Sequence, residues 1–138
     1  MHFELLTLAG TKYKGEACEV HLKTATGEIG VLPHHEDLTT IVLPCAVTVT
    51  TATSVEHIAV FGGILQISGG TVRLLADEAE HSEDLIHDEI EAAIVHANEL
   101  LAKAKTKHEL HHAQTLVDRH EVRLHVAGLR RRHHRRKR

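Results

Sequence analysis

Glycine and proline divide this chain in two. Eight of its nine glycines and both prolines, Pro33 and Pro44, precede residue 71, and only Gly128 follows. Such a density of backbone breakers excludes long helices from the first part and leaves the second part free to form them. Within the first part, Val47-Thr48-Val49-Thr50, Ile58-Ala59-Val60 and Val72-Arg73-Leu74 read as short strands. Turn signals separate them at Gly10, Gly15, Gly27, Pro33, Pro44, Gly62-Gly63 and Gly69-Gly70. Short strands at this spacing predict a small antiparallel sandwich or barrel. Gly27-Glu28-Ile29-Gly30-Val31-Leu32-Pro33 describes a tight turn entering an edge strand. Gly62-Gly63, set inside an apolar run, marks a bulge or a place where another backbone comes close.

The composition shifts near residue 80. Ser82 is placed to cap a helix, with Glu83 and Asp84 in its first turn. Ile86, Ile90, Ala93, Ala97, Leu101 and Ala104 then recur at helical spacing, and so do Leu110, Ala113, Val117, His120, Leu124 and Ala127. Lys105-Thr106-Lys107 lies between the two stripes. Two stripes and a short connection predict an antiparallel helical hairpin. The fold class expected is therefore an N-terminal antiparallel β-sandwich over residues 1–80, a two-helix hairpin over 81–129 and a basic tail over 130–138. The stripes are rich in alanine, which buries little apolar area. The hairpin is expected to be weakly held and able to open or dock elsewhere.

Aromatic residues make up only 2 % of the chain, so the core must come from Val, Ile, Leu and Ala. No apolar run approaches the ~20 residues of a membrane-spanning helix. The first residues, Met1-His2-Phe3-Glu4, do not resemble a secretory signal, which predicts a cytosolic setting. Cys18 and Cys45 are read as reduced thiols. The net charge of −3 conceals an imbalance: residues 130–138 hold seven Arg or Lys and no acid, which leaves 9 basic and 19 acidic residues in the rest. A basic end of this kind seeks an acidic surface.

Gly27-Glu28-Ile29-Gly30-Val31-Leu32-Pro33-His34-His35, Phe61-Gly62-Gly63-Ile64-Leu65-Gln66-Ile67 and Leu74-Leu75-Ala76-Asp77, in this order and spacing, resemble the ε subunit of F-type ATP synthases. The resemblance is strong over residues 1–80 and rests mainly on the helix pattern over 81–129. It implies a non-catalytic rotor subunit with no cofactor. In that family the sandwich binds the γ subunit and rests on the c-ring. The helices fold against the sandwich or extend along γ into the α/β catalytic head, where they block ATP hydrolysis. The resemblance implies a peripheral position on the cytoplasmic face of the plasma membrane, with membrane contact only through the complex. Glu28 and His35 match family positions facing the c-ring. Pro44-Cys45 stands where many relatives have Pro-Gly. Some relatives bind ATP at the start of the first helix. The matching stretch here is Leu85-Ile86-His87-Asp88-Glu89-Ile90, with Ile86 in place of an Asp and Glu89 in place of an Arg. Exchanging a cation for a carboxylate repels a triphosphate, so weak or absent ATP binding is expected.

Other signals compete. His108-Glu109-Leu110-His111-His112 fits His-Glu-x-x-His, in which two histidines hold zinc and the glutamate serves as base. A zinc-dependent hydrolase using His108, Glu109 and His112 is thus one alternative reading, and a basic-tailed nucleic-acid-binding module another, although with 15 histidines a His-Glu-x-x-His match arises readily by chance. These histidines also open the prospect of a pH-dependent grip on an acidic partner. The tail residues Arg130, Arg131, Arg132, Arg135 and Arg136 have three readings: a disordered solubilising end, a contact with acidic residues of the catalytic β subunits, or charge attraction to nucleic acid or lipid. A specific nucleic-acid role is not expected where aromatic residues to stack on bases are so few. No phosphate-binding Gly-x-x-x-x-Gly-Lys-Ser/Thr loop occurs.

Overall fold

In the computed structural model, which describes residues 1–137, the glycine-rich part forms ten strands. They are β1 (His2–Thr7), β2 (Gly10–Glu16), β3 (Glu19–Thr24), β4 (Gly27–Val31), β5 (Leu38–Val42), β6 (Cys45–Thr50), β7 (Val55–Val60), β8 (Gly63–Ser68), β9 (Thr71–Ala76) and β10 (Ala79–His81). Two helices follow, α1 (His87–Lys103) and α2 (Lys107–Arg136). The strands run in the order β10-β7-β6-β3-β5-β8-β9-β1-β2, with β4 attached to β3 alone. Because β10 returns against β2, the sheet curls into a barrel-like sandwich. Neighbouring strands are antiparallel except β1 and β9, which pair parallel from His2–Thr71 to Leu6–Leu75.

Period-two alternation builds the core. In β3, Val20, Leu22 and Thr24 face inward, and in β6, Cys45, Val47 and Val49 do the same. Phe3, Leu5, Ile58, Leu65 and Leu74 complete an interior of aliphatic chains with Phe3 against Tyr13, their ring centroids 5.4 Å apart. Gly63 is where two backbones meet: a Cβ there would lie 2.2 Å from the Leu75 carbonyl oxygen. Gly15, expected in a turn, lies instead inside β2 opposite Phe3. Pro33-His34 forms the centre of a turn closed by the His35 N–H donating to Leu32 O at 3.1 Å. His34 has φ of +67° at its third position, the place where a type II turn favours glycine.

The start of the helical part differs from expectation. Ser82 does not cap α1: Ser82–Asp84 form a single 3₁₀ turn, and α1 begins at His87 after Ile86, which makes no side-chain cap. The second helix is capped well. Thr106 Oγ1 accepts from the Glu109 N–H at 3.1 Å, and Glu109 Oε2 accepts from the Lys105 N–H at 3.0 Å. This is close to a capping box shifted by one residue. Helix α2 also runs further than its apolar stripe, through Arg136, so residues 130–136 form its last turns rather than a disordered end, while the final tail residue, Arg138, lies outside the described residues. It buries Ala113 and Val117 on the side of α1 and lays its second half across β6 and β7.

Candidate interaction surfaces

One sheet face carries an apolar row. Ile41 of β5 lies opposite Ile64 of β8, Ile64 opposite Leu75 of β9, and Leu75 opposite Leu6 of β1. Their strand neighbours Val42, Leu65, Leu74 and Leu5 point into the core, so the row itself must face outward. Ile41, Ile64 and Leu75 are 60 %, 49 % and 48 % exposed. Leu8, at the tip joining β1 to β2, is fully exposed. Two residues along the same strands the row is polar: Thr39, Gln66, Arg73, Glu4 and Lys14. Arg73 Nε donates to Glu4 Oε2 at 3.1 Å, and the Lys14 ammonium stands 3.7 Å from the other oxygen. The Arg73 hydrogen bond, then that of His2, holds the Glu4 carboxyl below its ordinary range. A dry strip flanked by an ordered charged strip has the anatomy of a protein contact.

Glu28 and His35 sit in different surroundings. Glu28, in the edge strand β4 opposite Lys23, is exposed and lines a groove between the sheet and α2 with Lys23, Pro44, Glu121 and His125. His35 is half-buried in the loop leaving β4, where its Nδ1–H donates to the Glu36 carbonyl at 2.7 Å. The rest of β4, Ile29 to Val31, and the Leu32–His34 turn lie between the two along the chain.

The helical hairpin is fastened to the sandwich at a defined seam. Ala59 of β7 and Phe61, just past the end of that strand, bury against Val126 of α2, with Ala46, Leu85 and Val122 around them. Arg123 donates from Nε and Nη2 to the two Glu80 oxygens, both at 2.8 Å. Arg119 pairs with Glu78. Both guanidinium groups also lie over the Phe61 ring, at 4.6 and 4.8 Å from its centroid. Further along, Arg130 Nη1 donates to the Ser82 carbonyl at 3.1 Å. His133 brings its ring edge-on to His57 of β7, with centroids 6.5 Å apart. Sequence reading missed Arg119, Arg123, Phe61, Glu78 and Glu80. The available signal was the spacing of Arg119, Val122, Arg123 and Val126, which gives α2 a second inward face.

The remaining sequence candidates stay apart. His108 and His112 are exposed near the start of α2, and the Glu109 carboxylate is engaged in the helix cap. Among the described residues, the side chains that converge at metal-ligand spacing are His87, Asp88 and Glu91, of which the two acids are exposed. Ile86 and Glu89 are exposed at the start of α1. The groove beside them is lined by Arg131, His134 and Arg135. Cations thus reach a place where the α1 sequence offers carboxylates. Arg131, Arg132, Arg135 and Arg136 are exposed, and Arg130 is half-buried.

A β-sandwich with an unpartnered apolar row, carrying a helical hairpin latched by ion pairs, is built to work through contacts with other chains. Comparison with known proteins gives that class its identity. Residues 1–82 match the family model for the ATP synthase delta/epsilon chain β-sandwich domain. The ATP synthase epsilon chain of Delftia acidovorans is 34 % identical over 116 residues, covering 83 % of this chain and 84 % of its own. That of Halalkalibacterium halodurans is 31 % identical over 129 residues, covering 93 % and 97 %. The chain belongs to the ATP synthase epsilon family, whose members are non-catalytic subunits of that membrane-associated complex. Its fold matches a chain in the Euglena gracilis mitochondrial ATP synthase structure with a TM-score of 0.80 at 20 % identity, covering 91 % of this chain and 79 % of that one. A chain of the Tetrahymena thermophila mitochondrial central stalk and c-ring structure gives 0.66 at 10 % identity, with 92 % and 96 % covered.

Proposed function

We propose that the chain is a rotor part of a proton-translocating ATP synthase, coupling the c-ring to the catalytic head through γ and restraining ATP hydrolysis with its helices. The observation that carries this reading is the row Leu6, Leu75, Ile64 and Ile41 on the open sheet face. A rotating shaft needs a contact that bears torque without slipping, and a rigid sheet with an apolar strip beside fixed charges supplies one. In this reading γ covers the row. Glu28 and His35, on the edge strand and the loop after it, face the polar loops of the c-ring. The sandwich over residues 1–80 is the wedge, the hairpin over 81–129 is the regulatory part, and Arg131, Arg132, Arg135 and Arg136 offer charge to acidic residues of the head when the hairpin leaves the sandwich. The complex sits on the cytoplasmic face of the plasma membrane.

The test is binding of the purified chain to an ATP synthase head that contains γ and lacks this subunit. Ile64→Glu places a carboxylate in the middle of the row and is expected to weaken binding by about 100-fold. Arg73→Gln, in the adjoining polar row, is expected to weaken it by less than about tenfold. Unchanged affinity for Ile64→Glu, with the sandwich folded, contradicts the assignment of the row to γ.

A further inference from the structure

The seam between α2 and the sheet contains imidazoles placed among cations. His120 Nδ1 lies 3.1 Å from Arg123 Nη1, and guanidinium nitrogens only donate, so Nδ1 must be bare in the docked arrangement. Arg119 immediately precedes His120 on the helix. On the sheet side, His57 shares its Nδ1 with Thr48 Oγ1 at 3.1 Å and meets the His133 ring edge-on. His133 Nε2 is buried there with no hydrogen-bond partner among the described residues. Leu129, Arg132, Arg135 and Arg136 line the space around this pair.

We propose that this seam is a proton-operated release: protonation of His120 and His57 unfastens α2 from the β6–β7 face. A proton on His120 turns the acceptor of an Arg123 bond into a donor and sets a third cation beside Arg119 and Arg123. A proton on His57 places a charge in a half-buried pocket facing His133, His125 and the arginines of the last turns. The groups facing the seam from each element decide the sign. From α2 come Asp118, Arg119, Glu121, Arg123, His125, Arg132, His133, Arg135 and Arg136. From the sheet come His21, Lys23, Glu28, Glu78 and Glu80. Glu78 and Glu80 favour an imidazolium, but each already answers an arginine. Burial first, and then the neighbouring His133 and His125, push the His57 pKa down. Burial and then Arg123 and Arg119 do the same for His120. A pKa lower in the docked state than in the released state means that the released state takes up protons first. Docking is therefore complete above the ordinary histidine value and is lost as pH falls below it.

Release of α2 from the sheet involves this chain alone. Its regulatory consequence, release of the hairpin in an acidifying compartment, rests on the rotor reading. The experiment uses the full chain with Cys18→Ser, labelled through cysteines introduced at Thr11 on the sandwich and Lys103 on α1. Distance distributions are measured by pulsed electron spin resonance between about pH 7.5 and about pH 5.5. The released population is expected to rise by about threefold or more over that range. The variant with both His57→Gln and His120→Gln is expected to give a flat profile. His120→Asn alone, which keeps an acceptor for Arg123, is expected to give an intermediate one. Amide-exchange protection of β6–β9 across the same range separates release from unfolding of the sandwich. An unchanged population in the parent chain overturns the proposal, as does an equal rise in the double variant. Neither result bears on γ binding, which is read separately by the Ile64→Glu test.

Discussion

At His34 the backbone adopts φ of +67°, a conformation that a side chain with a Cβ resists. The turn around it is held by the His35–Leu32 hydrogen bond, so the cost is borne locally. His34→Gly is expected to raise the stability of the sandwich by about 0.5–1 kcal/mol, read from the denaturant midpoint. Gly63 is the reverse case. A methyl group there meets the Leu75 carbonyl oxygen, which is backbone and cannot rotate away. Gly63→Ala is expected to destabilise the sandwich by about 2–3 kcal/mol by the same measurement. Both positions could be singled out in the sequence as turn or bulge residues. The role of Glu109 could not. As part of His-Glu-x-x-His it looks like a catalytic base, but as the third residue of α2 it answers the Lys105 N–H, and only the exact start of the helix decides between the two readings.

The strands were legible because alternation of apolar and polar residues is a direct imprint of a sheet with one buried face. Val47, Val49 and Ile58 in the sequence are Val47, Val49 and Ile58 in the core. The helices were half legible. Counting apolar residues found the side of α2 that meets α1, where Ala113 and Val117 are buried. It missed the side that meets the sheet, because that contact is made largely by Arg119 and Arg123, whose stems and planar heads cover Phe61. The two sides differ by roughly 120° around the helix at about 100° per residue. Leu110, counted in the second stripe, is half exposed, as is Ile86, which opens the first. The latch yields its own expectation. Arg123→Gln removes a two-pronged bond and leaves Glu80 unanswered, so exchange of α2 backbone amides should quicken by about tenfold while that of β8 and β9 stays unchanged. Thr106→Ala removes the α2 cap and is expected to cost about 1 kcal/mol of hairpin stability, with faster exchange confined to the first turn of α2.

On the scale of the whole molecule, two unlike surfaces share one scaffold. The sheet face with Ile41, Ile64 and Leu75 is rigid because ten strands and a close-packed aliphatic core stand behind it. The hairpin is held by a small apolar cluster, two arginine–glutamate pairs and the Arg130 bond to Ser82. Partly exposed ion pairs of this kind contribute about 1 kcal/mol or less each, so the hold is weak beside that of the core. A stiff contact surface and a lightly fastened arm suit a part that must transmit torque continuously and change its regulatory state on demand. No helix among the described residues is long and apolar enough to cross a membrane.

The most direct test of the rotor account is recovery of partners from the cell. The tagged chain would be purified from gently solubilised native membranes that retain ATP synthase activity, and the proteins bound to it identified by mass spectrometry. The account predicts γ, c, α and β subunits in stoichiometric amounts with the parent chain, and their loss with Ile64→Glu. An active preparation in which the tagged parent chain brings down none of them contradicts it.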